Sequence, residues 1–262
     1  MLNLLEKIYH TEIEYVKLFS QSYESDHIIR FCDESIPDMY THNFVLIKND
    51  YGIDKTKEII LTELAERKKE GCNFLRVEFN FPLENKLLNK LPIKPQIQKY
   101  DYMYIDPHEA GELIGNQVGI VRKATSQAVL NDGIEVDILA NEPIMGKDFA
   151  TRRIHRKSEV YRRSNMNLNL YVCYYKETPI GNCEFMLNNG IVKIEDFDIL
   201  KKYQRMGFGT SVIKHLLNEA KQKEVDTVYL VTDNEDTAKQ MYTKCGFKKA
   251  GEKIELFFDL GQ

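Results

Sequence analysis

The sequence predicts an α/β protein: an α+β mixed sheet with helices on its faces, in two domains. Three observations carry this. Residues 226–232, DTVYLVT, are nearly all apolar over the length of one buried strand. Residues 191–200, IVKIEDFDIL, set Ile191, Ile194, Phe197 and Ile199 among charges and read as another strand. Between them lie a turn with two glycines, QRMGFGT (204–210), and a segment whose Val212, Ile213, Leu216, Leu217 and Ala220 share one helical face.

In chain order, residues 1 to about 24 read as a helix with Leu4, Leu5, Ile8, Val16 and Phe19 inward. HNFVLI (42–47) is a strand, TKEIILTELAERKKEG (56–71) a helix capped at Gly71, and NFLRVEFNF (73–81) a strand. Pro82, Pro92 and Pro95 break regular structure before the strand QKYDYMYI. Residues 105–132 are the least periodic, and NDG (131–133) is expected to be a turn. The domain boundary is therefore placed there, giving domains 1–130 and 131–262.

The second half reads strand (135–140), helix (146–164), three strands within 168–200, the glycine turn and its helix. Strand 226–232, helix 235–246 ending at Gly246, and a closing strand KIELFFDL follow.

Composition bounds the function. Of 262 residues, 43% are hydrophobic and 29% charged, as in an ordinary protein with a packed core. The net charge of −4 gives no global pull toward nucleic acid or an anionic membrane, and neither is expected as a partner. No apolar run approaches the ~18 residues of a membrane span, and the N-terminus does not read as a signal peptide. Five scattered cysteines without CxxC fit reduced thiols in a cytoplasm, and the histidines show no metal-ligand spacing, so no metal site is expected.

The double glycine raises the chemical question. Hydrogen-only side chains at Gly207 and Gly209 let a ligand approach the backbone, and the first turn of the following helix offers unpaired N–H groups. This is a place for phosphate or another anion. A Rossmann site is disfavoured because the third glycine is missing, and no GKS or GKT follows to make a Walker loop.

The element order, with QRMGFGT after the fourth strand and YTKCGF at the end of the last helix, resembles the GNAT acetyltransferase superfamily. Its fingerprint, Gln/Arg-x-x-Gly-x-Gly/Ala, is matched by Gln204, Arg205, Met206, Gly207, Phe208 and Gly209. A second feature is matched by Ala238, Tyr242, Gly246 and Phe247. The resemblance covers about residues 133–260 and implies a GNAT-like fold with an additional N-terminal α/β domain, itself readable as a degenerate GNAT-like half without a glycine turn.

What the resemblance implies is acetyl-CoA as co-substrate, one site per chain. Backbone N–H groups from Arg205 to Thr210 are expected to hold the pyrophosphate, and the main chain of Phe197, Asp198 and Ile199 to pair with the pantetheine arm. Acyl transfer to an amine benefits from a base, an oxyanion donor and an acid. Glu195 is the expected base, with Glu184 second, and a backbone N–H near Phe197–Ile199 the oxyanion donor. Tyr242 is the expected acid for the leaving thiolate, since a phenol's ordinary pKa of about 10 keeps its proton at neutral pH. The asparagine that the family often carries seven residues before this tyrosine is replaced by Glu235; Asn234, one residue off, is the candidate contact to pantetheine.

The expected activity is direct acetyl transfer to a primary amine of a small molecule or peptide, with a homo-oligomer allowed. The competing reading is a non-catalytic acyl-CoA-binding sensor or scaffold. An aminoacyl transferase of tandem GNAT-like halves is disfavoured, because those relatives use another donor. The basic residues Arg152, Arg153, His155, Arg156, Lys157, Arg162 and Arg163 read as a solvated helix face, or as selecting an acidic acceptor. His42 and Cys245 read as structural.

Overall fold

The computed structural model describes residues 2–163, 167–234 and 238–261. In chain order it contains α1 (Leu2–Lys17), β1 (Gln21–Glu24), β2 (Ile28–Cys32), β3 (Val45–Ile47), α2 (Ile53–Lys69), β4 (Phe74–Phe79), α3 (Asn85–Leu88) and β5 (Gln96–Ile105). Then follow β6 (Gly119–Lys123), α4 (Gln127–Met145), α5 (Lys147–Tyr161), β7 (Leu168–Tyr175), β8 (Thr178–Asn188) and β9 (Ile191–Ile199). The chain ends with α6 (Phe208–Gln222), β10 (Thr227–Asp233), α7 (Ala238–Lys244) and β11 (Lys248–Asp259). No helix among the described residues is long and apolar enough to cross a membrane.

The chain forms two compact units: residues 1–15 with 103–250, and residues 16–102 with 251–262. The boundary expected near residue 130 falls inside α4. In the second unit, β3 and β4 run parallel (Val45↔Val77 to Ile47↔Phe79) with α2 as the crossover between them. Strand β11 then pairs antiparallel with β4. Val45, Ile47, Ile60, Leu64, Val77, Phe79, Leu256 and Phe258 fill its core. Gly71 has φ 72° and closes α2 as expected. His42 is buried, stacks on Phe19 and lies 3.1 Å from Asp33, a structural role.

In the first unit, strands follow the order β10–β9–β8–β7–β6. Strands β6 to β9 are antiparallel to their neighbours, and β10 is parallel to β9. The apolar stripe read on α6, Val212, Ile213, Leu216, Leu217 and Ala220, packs on Val192, Ile194, Cys183 and Phe185 of the sheet.

Several expectations give way. The strand read at 135–140 and the turn at NDG are both inside α4. Ser126 caps this helix by accepting from the Val129 N–H at 3.3 Å, and Leu130, Ile134 and Asp137 keep helical spacing. Gly133 serves packing: a Cβ there would lie 2.6 Å from Leu170 Cδ2 and 2.9 Å from Val172 Cγ2. The helix read over 1–24 ends at Lys17, and the polar QSYE becomes an exposed edge strand paired with β2. Strand β6 was not expected at all. In helices 146–164 and 235–246, Ser164 and Glu235–Thr237 lie outside the described residues.

Candidate active site

Strand β9 organises the site. Its early residues alternate: Val192 and Ile194 enter the core beneath α6, while Lys193 points the other way, to Glu12 of α1. The alternation then breaks. Against β8, Glu184 faces Glu195 and Asn182 faces Asp198, so Asp196 and Phe197 together stand opposite Cys183. This is a β-bulge, with Asp196 at φ 44°. Glu195 and Asp198 therefore keep to the face of α1, α4 and α5, while Phe197 joins the α6 and α7 face. The parallel ladder to β10 runs from Thr227↔Ile191 to Leu230↔Ile194 and stops just before the bulge. Beyond it, the main chain of Phe197–Ile199 has a side free of β10.

A buried set of charges fixes the bulge. Asp196 accepts from Arg153 Nη1 at 2.9 Å and from Lys157 Nζ, both on α5. Burial pushes the Asp196 carboxyl up, but these two cations outweigh it and hold it well below the ordinary carboxylate range. Lys157 also lies 2.8 Å from Glu184, which accepts from Tyr15 at 2.6 Å and from Tyr161. Glu184, the second choice for a base, is thus fully buried and enclosed by three donors. The basic face expected on α5 is accordingly split. Arg152 and Arg156 make exposed pairs with Asp148 and Glu159, whereas Arg153 and Lys157 are interior.

The glycine turn is held from several sides. Arg205 and Gly207 are left-handed, at φ 60° and 83°. Gln204 donates to the Ile199 carbonyl at 2.8 Å, tying the turn to the end of β9. Asn116 donates through its side chain to the Met206 carbonyl at 2.9 Å and through its N–H to the Gly207 carbonyl at 3.1 Å. Phe208 is anchored in the core against Tyr175 and Tyr203, so what it presents at the turn is its main chain. The α6 N–H groups of Phe208, Gly209 and Thr210 have no intrahelical acceptor. Lys201, Lys202 and Arg205 are exposed around them and add positive charge. Gly209 also has a packing reason, since a Cβ there would lie 2.7 Å from Met241 Sδ.

The two residues expected to move protons lie on opposite faces of the sheet. Tyr242 on α7 is buried, its ring 6.3 Å from that of Phe197 and 5.8 Å from that of Phe247. Glu195 retains 29% side-chain exposure on the other face and pairs with Lys193 at 2.8 Å. Burial raises its carboxyl pKa; Lys193 opposes this, and Glu12 and Asp196 add to it. Asn234 accepts from Lys239, and Glu235 lies outside the described residues. Cys245 is buried in the core, a packing role.

One polar group was not anticipated. Gly133, Asp137 and Asn141 form a stripe on α4 at four-residue spacing, laid over the sheet. Asn141 donates to Asp198 at 3.1 Å. Val172 touches Gly133, and its register partner Asn182, beside Asp198, points toward the same stripe. Asn182 is 2% exposed, yet neither its Nδ2 nor its Oδ1 has a partner; Asp137 Oδ1 is in the same state.

An α/β sheet with a bulged strand that opens beside its parallel neighbour, followed by a left-handed turn into a helix, is the framework of a GNAT-like fold. The comparisons agree. Residues 141–247 match the profile of the Acetyltransferase (GNAT) family. The uncharacterized N-acetyltransferase CgeE of Bacillus subtilis (strain 168) is 28% identical over 258 residues, which is 95% of each chain. In fold, the chain is similar to a functionally unknown conserved protein from Staphylococcus epidermidis ATCC 12228. That match has a TM-score of 0.75 at 18% identity, over 93% of this chain and 95% of that one. It is also similar to a GCN5-related N-acetyltransferase from Kribbella flavida, with a TM-score of 0.65 at 12% identity over 96% and 94%. The matched residues carry β7 to β10, the glycine turn and α7, so the likeness to a GNAT acetyltransferase domain falls on the elements that build this site.

Proposed function

We propose that the protein transfers an acetyl group directly from acetyl-CoA to a primary amine. The observation that carries this reading is the arrangement around the bulge of β9. A free stretch of main chain at Phe197–Ile199 leads into a turn rich in N–H groups, with Glu195 on one face and Tyr242 on the other. The likeness to an N-acetyltransferase over nearly the whole chain supports nitrogen as the acceptor atom.

In this reading the pyrophosphate lies against the N–H groups from Arg205 to Thr210, and the pantetheine amides pair with Phe197–Ile199 as another strand would. Asn234 is the side-chain candidate for a further contact to pantetheine. Glu195 takes a proton from the acceptor ammonium, directly or through water, and the neutral nitrogen attacks the thioester carbonyl carbon. A main-chain N–H of the bulge segment donates to the oxyanion. As the carbon–sulfur bond breaks, the thiolate takes the Tyr242 proton; the nitrogen gives up its remaining extra proton, which returns through water to the phenolate, and Glu195 releases its proton to solvent, leaving an amide and coenzyme A.

Calorimetric titration with acetyl-CoA tests the donor half. Arg205→Glu is the informative variant, because Arg205 is exposed and the change adds negative charge without the Met241 collision of a Gly209 substitution. Binding in the wild type that weakens by about tenfold or more in the variant supports the assignment. Equal binding removes the pyrophosphate from this turn.

A further inference from the structure

We propose that the polar group beneath α4, built of Asp198, Asn182, Asn141 and Asp137, is a subsite for a second positive charge on the acceptor, so that the substrate is a diamine. This rests on the transferase reading above and adds to it the class of acceptor.

The argument starts from charge. Among the described residues on this face, Lys193 is taken up by Glu12 and Glu195, which leaves Asp137, Glu184, Asp196 and Asp198 to the interior cations Arg153 and Lys157. Both cations bind Asp196, and each covers one more carboxylate: Arg153 covers Asp137, and Lys157 covers Glu184. Asp198 has no cationic partner among the described residues; Asn141 donates to one of its oxygens. Burial and the neighbouring Asp196 push its pKa up, against the opposing pull of the Asn141 hydrogen bond and of Arg153 and Lys157, which do not pair with it.

The second observation is independent of charge. Asn182 is almost wholly buried beside Asp198 with both amide atoms unpartnered, and Asp137 Oδ1 is likewise unpartnered. Buried polar atoms of this kind are satisfied in native proteins, by water or by a ligand. A primary ammonium has three N–H donors, and this group offers it carboxylate and amide oxygens. Asp198 is half-buried, so the subsite reaches the surface. It lies three residues along β9 from Glu195, about 7–10 Å at strand rise with a bulge. A chain of roughly five carbons spans that distance and delivers its other nitrogen to Glu195.

The test is calorimetric titration of the full chain, saturated with coenzyme A, with terminal diaminopentane and with pentylamine. Wild type, Asp198→Asn and Asn182→Ala are compared after circular dichroism has shown each to be folded. The diamine is expected to bind the wild type about tenfold more tightly than the monoamine, with that preference lost in both variants. Should Asp198→Asn not fold, Asn182→Ala carries the comparison alone. Equal binding of the two amines, or a preference that survives the variants, overturns the subsite. Turnover with acetyl-CoA separates the two readings. Transfer to amines without preference for the diamine removes the subsite and leaves the transferase. Asp198-dependent diamine binding without transfer keeps the subsite and removes the transferase.

Discussion

Arg153 Nη1 on α5 lies 2.9 Å from Oδ2 of Asp196, and Lys157, one helical turn further on, binds the same oxygen. Two interior cations thus hold a non-glycine residue in a left-handed conformation in the middle of a strand. Removing one partner of a buried pair uncovers the other. Lys157→Met exposes Glu184 as well as Asp196 to this penalty, and is expected to cost on the order of 3–5 kcal/mol in chemical denaturation. A loss below about 1 kcal/mol would show that the bulge does not depend on this lysine.

Gly181 offers a probe of the main chain that follows the bulge. A methyl group there would sit 2.6 Å from the Asp198 carbonyl oxygen and 2.5 Å from Ile199 Cδ1. Gly181→Ala is expected to cost about 1–3 kcal/mol and to weaken acetyl-CoA binding by displacing Asp198–Ile199. Gly133→Ala, which meets only the side chains of Leu170 and Val172, serves as the control for stability without displacement of β9. The same acetyl-CoA affinity in both would detach the pantetheine from this stretch.

The pH dependence of kcat/KM reports on Glu195. A base works only when ionised, and burial has raised this carboxyl above its ordinary range. Activity is therefore retained at higher pH and lost as pH falls through that raised value, at a pH above that of a free glutamate. Glu195→Gln is expected to abolish this acid limb and to reduce the rate by about a hundredfold or more. An unaltered profile in the variant places the base elsewhere.

Tyr242→Phe separates acid catalysis from packing. The ring contacts to Phe197 and Phe247 persist in the variant, so acetyl-CoA affinity is expected to change little. Turnover is expected to fall by about a hundredfold. Equal turnover would leave Tyr242 as a core residue alone.

Parts of this layout are legible in the chain. The glycine turn, α6 and β10 each carry a local pattern strong enough to stand without tertiary help. The bulge also leaves a trace. Ile194 and Phe197 share a face although three residues apart, a spacing that regular alternation forbids. Helix α4 was obscured because Asn-Asp-Gly is a strong turn cue, and only the close approach to Leu170 and Val172 explains a glycine there. Asn116 lies in the least periodic segment, and its hold on the turn is a contact across 90 residues of sequence. Arg153 and Lys157 look like any basic helix face, since their burial is decided by carboxylates on β8 and β9.

Helix α1 sends Tyr15 to Glu184 across a separation of 169 residues, and Glu12 to Tyr229 across 217. A ribosome adding roughly 5–20 residues per second makes the helix wait about ten to thirty seconds for the first of these partners. Strand β4 likewise waits for β11, which lies in the other half of the chain. The first unit is not complete until residue 250 has left the exit tunnel, and the second not until β11 has followed. Until β10 and β11 emerge, β9 and β4 each leave one edge unpaired, so slower translation lengthens the time in which those edges can meet another chain.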